Sequence, residues 1–379
     1  MPNKLEQCFN IDDLRKLANN RLPAPIYEYL RGGADDEWSI DNNLSAFSRI
    51  QLLPRTMRDV QAIDTSTTVL GQKIAMPLMM APVGFVGMFH HLREIAAAKA
   101  GQNYGVPFSL ATWGSVTVEE VAEATQAPKI LQLYLPNDRE RSYALVDRAK
   151  TCGYSAVCVT VDTVVSGNRE GAQRMGAPPA PKMTARSIAS MLAHPRWLYH
   201  FAKSQPRPAA SYFDHKPSPQ EMFQVGPAAN INFEDISRLR DRWGGPLAVK
   251  GILSAEDAKL AVDHGATAII ISNHGGRQLD SVPAPVDLLP SFVEAVGGRA
   301  EIIIDSGVRR GTDIIKALAL GANACMIGRP YIYGLAAGGQ AGVERCLQIF
   351  KDELERDMAL LGTTSINAID SSYLFNKSQ

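Results

Sequence analysis

Eight short apolar runs recur along the chain, at 78–81, 106–110, 130–135, 156–162, 247–250, 268–272, 302–305 and 324–327. Each reads as a buried strand, and most of the gaps carry helical spacing, as in 93–102, 118–124, 139–150, 255–264 and 312–320. Buried runs alternating with helices imply parallel βα units. Eight in series predict an α/β fold of the closed (β/α)8 TIM-barrel kind. An open doubly wound sheet would satisfy the same alternation. Its dinucleotide-binding form wants G-x-G-x-x-G after the first strand, and this chain has no such motif.

The pattern organises all 379 residues as a single domain. Residues 1–77 form a helical cap with helices at 11–21 and 25–32, residues 78–335 the barrel, and 336–379 a C-terminal helix and tail. Within the last part, 343–361 reads as an amphipathic helix available for subunit contact. The gap between the fourth and fifth runs is about 85 residues, and the insertion at 166–245 has the length of a lid or binding loop.

Composition narrows the classes. Basic and acidic residues balance at 39 each, so nothing points to nucleic acid as a partner. Five cysteines (Cys8, Cys152, Cys158, Cys325, Cys346) lie scattered without a C-x-x-C pair. That argues for a reducing, cytoplasmic setting and against a disulfide framework or a metal site. The first residues lack the apolar stretch of a signal peptide. The apolar run 74–89 contains Pro77, Pro82, Gly84 and Gly87, and at about 16 residues it falls short of the roughly 20 that span a bilayer.

Polar residues fall repeatedly at predicted strand ends, where barrels place catalytic groups. Tyr134 follows the third strand, Asp162 ends the fourth, Lys250 ends the fifth, His274 follows the sixth, Asp305 ends the seventh and Arg329 follows the eighth. The stretch Ser272-Asn273-His274-Gly275-Gly276-Arg277-Gln278 is the most informative. His274 is a base near neutral pH, Arg277 a carboxylate clamp, and the glycines permit close approach of a ligand. Asp162, facing His274, would fix its tautomer and stabilise the imidazolium. Arg169 joins Arg277 as a second fork for a carboxylate. The Lys250 ammonium would stabilise negative charge as it develops. Gly307-Val308-Arg309-Arg310-Gly311 and Gly328-Arg329-Pro330 follow the last two strands, where barrels hold phosphate on backbone N–H groups and a helix N-terminus. Plainer readings exist for each group: a structural histidine, a helix-capping aspartate, exposed arginines, a snorkelling lysine. Their convergence on one rim favours chemistry.

These motifs resemble the FMN-dependent L-2-hydroxy-acid dehydrogenase and oxidase family, which includes glycolate oxidase, L-lactate dehydrogenase and (S)-mandelate dehydrogenase. The likeness runs from Tyr27-Glu28-Tyr29-Leu30-Arg31-Gly32-Gly33-Ala34 to near Gly362. It includes Gln132-Leu133-Tyr134, Thr160-Val161-Asp162 and Val249-Lys250-Gly251. The resemblance implies FMN as cofactor and oxidation of a 2-hydroxy acid to a 2-oxo acid. L-Lactate ranks first as substrate. An aromatic, mandelate-type acid, an oxygen-using oxidase and, more distantly, a non-redox FMN barrel isomerase are the alternatives.

By the same resemblance His274 is the base and Asp162 its partner. Arg277, Arg169 and Tyr29 hold the carboxylate, Tyr134 bonds the substrate oxygen, and Trp113 faces the substrate. Pro82, Val83, Gly84 and Ala111 lie along the flavin, with Gln132, Thr160, Lys250 and Ser272. Arg309 and Arg329 hold its phosphate, and Asp305, Gly307 and Gly328 are further cofactor-binding positions. Ala111 stands where the family often has Ser, and Gly84 where its oxidases often have Ala. The latter implies a dehydrogenase, with electrons leaving to a quinone or another external acceptor, and relatives imply a homotetramer.

From 171 to 213 there is no Asp or Glu, while Arg174, Lys182, Arg186, Arg196, Lys203 and Arg207 are basic. Ile188, Met191, Leu192, Trp197, Leu198 and Phe201 are interleaved at helical spacing. A basic amphipathic stretch predicts peripheral contact with the inner face of the cytoplasmic membrane. The competing reading is a lid packed on the barrel.

Overall fold

In the computed structural model, residues 4–176, 184–204, 207–213, 215 and 217–375 are described. Two short strands, β1 (Thr67–Val69) and β2 (Gln72–Ile74), pair antiparallel. Eight more follow: β3 (Leu78–Met80), β4 (Phe108–Leu110), β5 (Lys129–Leu133), β6 (Ala156–Thr160), β7 (Leu247–Ile252), β8 (Ala268–Ile271), β9 (Glu301–Asp305) and β10 (Ala324–Ile327). They pair parallel in chain order, and β10 closes on β3, giving the (β/α)8 barrel that the hydrophobic pattern predicts.

Both faces of the barrel strands are buried, which is why they read as continuous apolar runs rather than alternating ones. Successive side chains still diverge. Ile130, Cys158, Ala248, Ile270, Ile303 and Met326 fill the interior, while neighbours such as Leu131, Val157 and Ile269 pack outward on helices. The β1–β2 ribbon was not foreseen. Its Val69, Leu70 and Ile74 pack with the barrel-interior residues, and the Glu301 carboxylate accepts from the Leu70 N–H at 2.8 Å.

Two strand ends differ from expectation in ways that matter. β6 stops at Thr160, because the Val161 N–H makes the last ladder bond, to Lys250 O at 2.9 Å, and Asp162 lies beyond it in the following loop. β7 runs past Lys250 to Ile252, with a register shift at Gly251 that marks a bulge.

The cap holds helices Ile11–Asn19 and Ala24–Arg31, close to expectation, and a third, Trp38–Arg49, that was missed. The C-terminal helix Gln340–Leu361 buries Val343, Leu347, Phe350, Leu354 and Met358 within the monomer, chiefly against helices Arg329–Gly338 and Arg93–Tyr104. Its apolar face is therefore not free for subunit contact as expected. All five cysteines are unpaired. No helix among the described residues is long and apolar enough to cross a membrane.

The insertion divides in two. Ala209, Phe213 and Val225 pack with Trp113, and Ala228 N donates to Leu135 O at 2.8 Å, so this part covers the rim. Helices Ala185–Leu192 and Pro195–Ser204 form the other part. Trp197 and Phe201 stack together and pack on the core, and Trp197 Nε1 donates to Met88 O at 2.8 Å. Only Ile188 and Leu192 of the six apolar residues singled out are exposed, joined by Tyr199. The outward apolar face is thus narrower than the sequence suggests. Lys182 lies outside the described residues.

Candidate active site

The C-terminal ends of the strands surround a cavity of about 1070 Å³. His274 follows β8 in the left-handed region (φ +57°), and Gly275 and Gly276 continue it at φ +66° and +73°. This turn needs Gly276: a Cβ there would lie 2.8 Å from Ile40 of the cap. His274 Nδ1 lies 3.0 Å from Asp162 Oδ1, and the His274 N–H donates to Ser272 Oγ at 3.0 Å. Burial pulls the imidazole below its ordinary range, against the opposing pull of Asp162. Burial would raise the Asp162 carboxyl, but His274 facing it holds it below the usual carboxylate range.

Four guanidinium groups line the same cavity: Arg169, Arg277, Arg309 and Arg329. None of them pairs with a carboxylate among the described residues. Arg277 Nη1 donates to Tyr29 O (2.9 Å) and Gly32 O (2.8 Å), and its guanidinium lies 5.0 Å from the Tyr29 ring centre. Arg329 donates to Gly275 O (2.8 Å), Gly32 O (2.9 Å) and Leu30 O (3.2 Å). Burial lowers all three of the deeper groups, Arg277 to about 9 with Arg169 beside it, Arg329 to about 10, and Arg309 in the same direction. Positive charge concentrated without a counter-ion is a site for anions.

The helix N-terminus expected to help with phosphate after β9 is already occupied. Asp313 accepts from the N–H groups of Arg309 (2.9 Å) and Arg310 (3.0 Å), and Glu353 accepts from that of Gly311 (2.8 Å). What remains for an anion is the Arg309 and Arg329 side chains and the start of helix Arg329–Gly338.

Lys250 does not stand alone. Its Nζ lies 2.7 Å from Asp305 Oδ2 and 2.8 Å from Ser272 Oγ, and Ser272 Oγ donates to Asp305 Oδ2 at 2.7 Å. Burial opposes the Lys250 charge, but Asp305 and Asp162 hold its pKa above the ordinary value. Ser272 thus spends its one O–H and two lone pairs inside the protein, and it does not line the cavity. Gln132 accepts from Thr112 N and donates to Thr160 Oγ1, both at 3.0 Å. Phe85, Trp113 and Tyr134 form an aromatic wall, with ring centres 5.6 and 5.3 Å apart in succession. Burial and the nearby Asp162 push the Tyr134 hydroxyl far up, so it is a donor at any ordinary pH.

Of the residues picked from the sequence, only Asp162, behind His274, and Ser272 are set back from the cavity. Several others were missed. Gln278 donates to Asp162 O and Val165 O (both 2.9 Å) and accepts from Gly167 N (3.2 Å) and Arg169 Nη2 (3.3 Å). Asn43 of the cap and Asn273 exchange amide hydrogen bonds at 2.9 and 2.7 Å. Thr112, whose hydroxyl accepts from Tyr134 N at 3.0 Å, aligns the third strand end. Gln278 and Asn273 lie inside the motif already singled out, the only signal in the sequence for either.

A barrel rim that joins a histidine–carboxylate pair to unpaired arginines and a buried lysine defines a barrel built for acid–base chemistry on an anionic ligand. Residues 18–376 match the family of FMN-dependent dehydrogenases, and the chain belongs to it. It is 41% identical over 371 residues to 2-hydroxyacid oxidase 1 of Homo sapiens, covering 97% of this chain and 96% of that protein. It is 38% identical over 372 residues to a putative L-lactate dehydrogenase of Mycobacterium tuberculosis, covering 98% and 90%. The crystal structure of a monotopic membrane protein, (S)-mandelate dehydrogenase, superposes with a TM-score of 0.92 at 36% identity, covering 98% of this chain and all of the other. The chain is therefore an oxidoreductase of the 2-hydroxy-acid-oxidising class, and its cofactor is FMN. The cavity fits that group, since the ends of the barrel strands line it and its unpaired arginines can meet both a phosphate and a substrate carboxylate.

Proposed function

We propose that this enzyme is an L-2-hydroxy-acid dehydrogenase whose preferred substrate is a compact acid, L-lactate first, and whose electrons leave to a quinone or another external acceptor. The observation that carries the reading is the His274–Asp162 contact of 3.0 Å on a cavity whose arginines meet no carboxylate among the described residues. Arg309 and Arg329 would hold the FMN phosphate. Gln132, Thr160 and Lys250 would face the flavin ring system, with Pro82, Val83, Gly84 and Ala111. FMN, when bound, supplies the two-electron acceptor.

The remaining chemistry belongs to side chains. Arg169 and Arg277 grip the substrate carboxylate, aided by the Tyr29 hydroxyl. Tyr134 donates a hydrogen bond to the substrate oxygen. His274, engaged with Asp162 through Nδ1, uses Nε2 to take a proton from the substrate hydroxyl or its α-carbon. Asp162 stabilises the imidazolium that results. The packed wall of Phe85, Trp113 and Tyr134 limits the room beside this site and favours a small acid.

Two other readings have support. The TM-score of 0.92 to (S)-mandelate dehydrogenase favours an aromatic acid stacking on that wall. The 41% identity to a 2-hydroxyacid oxidase favours oxygen as acceptor, against which stands Gly84. Peripheral membrane contact through 171–213 and a homotetramer complete the proposal, the latter tested by light scattering.

The deciding experiment mixes the yellow protein without air with L-lactate, glycolate and L-mandelate in turn, then admits air. Fast bleaching by lactate with slow recovery is expected. Fast recovery would make the enzyme an oxidase, and faster bleaching by mandelate would move the substrate class. His274→Ala should slow bleaching by about 10²- to 10⁴-fold while the flavin stays bound.

A further inference from the structure

A second cavity, of about 890 Å³, lies at the foot of the insertion, and Met88 and Phe89 form part of its wall. Phe89 also lines the active-site cavity. The chemistry of the second cavity is one-sided. Arg21, Arg196, His90, His91, His194 and His200 line it, and no carboxylate among the described residues does.

The imidazoles are packed on one another, His90 on His91 at 4.4 Å and His91 on His200 at 4.0 Å between ring centres. His90 Nδ1 accepts from the Leu92 N–H at 3.2 Å, which leaves its other ring nitrogen as the donor. His91 Nδ1 is buried and has no partner. Neither arginine makes an ion pair among the described residues, and burial with Arg196 nearby lowers Arg21. Burial, then the crowding of His91 and His200 and the charges of Arg21 and Arg196, drive His90 down to about 4, so that imidazole is neutral near neutral pH. Helix Pro195–Ser204 starts in this wall; Pro195 has no N–H and the Leu198 N–H donates to His194 O at 3.1 Å, which leaves the N–H groups of Arg196 and Trp197 without a partner inside the helix. The two arginines without an ion pair and the open helix start give the cavity a positive lining that suits an anion, and the neutral imidazoles add hydrogen-bond donors.

We infer that this cavity binds the phosphate of an anionic phospholipid headgroup and so seats the insertion on a bilayer. The inference rests on the membrane-facing reading of the insertion given above. The surroundings favour a lipid over a free anion. Ile188, Leu192 and Tyr199 project from the two helices beside the cavity, exposed by 45%, 67% and 62%. Arg186 and Lys203 are exposed on the same helices. Exposed apolar side chains beside exposed basic ones suit an interface between headgroups and acyl chains.

The test is sedimentation of the flavin-loaded enzyme with vesicles of phosphatidylcholine, with and without phosphatidylglycerol. Arg21→Gln combined with Arg196→Gln removes the charge of the cavity. Arg186→Gln combined with Lys203→Gln removes the same charge from the surface beside it. Surface charges near a bilayer are worth about fivefold each, so the surface pair should lose about 25-fold in partitioning to phosphatidylglycerol. The cavity pair should lose about 100-fold or more, because charge-assisted hydrogen bonds go with it. Both pairs should oxidise the hydroxy acid at the parent rate, which also shows that they fold. Equal losses in the two pairs would overturn the headgroup site and leave generic attraction. If losses are equal while inorganic phosphate raises the melting temperature of the parent but not of the cavity pair, the ligand is a soluble phosphate and the lipid assignment is overturned. If the parent sediments with neither vesicle, the membrane reading itself fails.

Discussion

Gly251 lies directly against the Asp162 carboxylate: a Cβ added to Gly251 would stand 2.6 Å from Asp162 Cγ. The bulge that ends the regular pairing of β7 thus makes the space in which the partner of His274 sits. Gly251 also has φ +101°, a conformation costly for any other residue. Gly251→Ala should lower stability by about 1–3 kcal/mol. It should lower kcat/KM by about 100-fold or more, since Asp162 must move away from His274. Thermal melts and steady-state kinetics at constant flavin content check both effects.

Arg277→Lys keeps the charge but removes the fork. Arg277 already spends Nη1 on two carbonyls of the cap, and the rest of its planar group faces the cavity. A lysine cannot do both. The expected loss is about 10- to 100-fold in kcat/KM for a 2-hydroxy acid. A loss under threefold would remove Arg277 from the carboxylate clamp.

Gln278→Leu tests whether the stem of the insertion positions Arg169. The Gln278 amide ties the loop after β6 to the one after β8 through four hydrogen bonds. Without it Arg169 keeps only its Nε bond to Arg277 O, at 3.3 Å. KM should rise about tenfold, the worth of a charged hydrogen bond, with kcat changed less. An unchanged KM would show that Arg169 is held by other means.

Glu94 is fully buried, accepts from the Ser115 N–H at 2.6 Å, and leaves its second oxygen unpartnered. Burial raises its carboxyl from 4.5 to about 7. The folded protein therefore binds this proton more tightly than the unfolded chain. The stability it contributes is complete below pH 4.5 and lost as pH rises through about 7. Glu94→Gln, which mimics the protonated form, should stabilise the protein by about 3 kcal/mol more at pH 8 than at pH 4. Denaturant unfolding at both pH values checks this.

The barrel was legible because its later strands are dense in isoleucine, as in Ala268–Ile271 and Glu301–Asp305, and stay buried on both faces. The rim chemistry was legible because strand ends put polar residues in one place. Helix Trp38–Arg49 was not, since its Ser and Asn residues have weak helical preference. It is held from across the fold, where Asp280 accepts from the N–H groups of Ser39 (2.8 Å) and Trp38 (3.2 Å). Helix Pro285–Val296 was hidden by Pro290 in its interior. Ser272 illustrates a different limit. The motif marked it as a flavin contact, whereas the structure sets it back from the cavity with its hydroxyl saturated by Lys250, Asp305 and the His274 N–H. The apolar insertion helices failed in the same way, because periodicity cannot tell which neutral face meets protein and which meets solvent.

The carbonyl of Gly32 accepts from both Arg277 and Arg329, at 2.8 and 2.9 Å. A cap residue remote in sequence from either motif therefore sits at the junction of two arginines that line the active-site cavity. The amino-terminal segment is thus an internal strut rather than an appendage. A barrel cut free of it would keep its strands and lose, at a stroke, the alignment of both cationic arms.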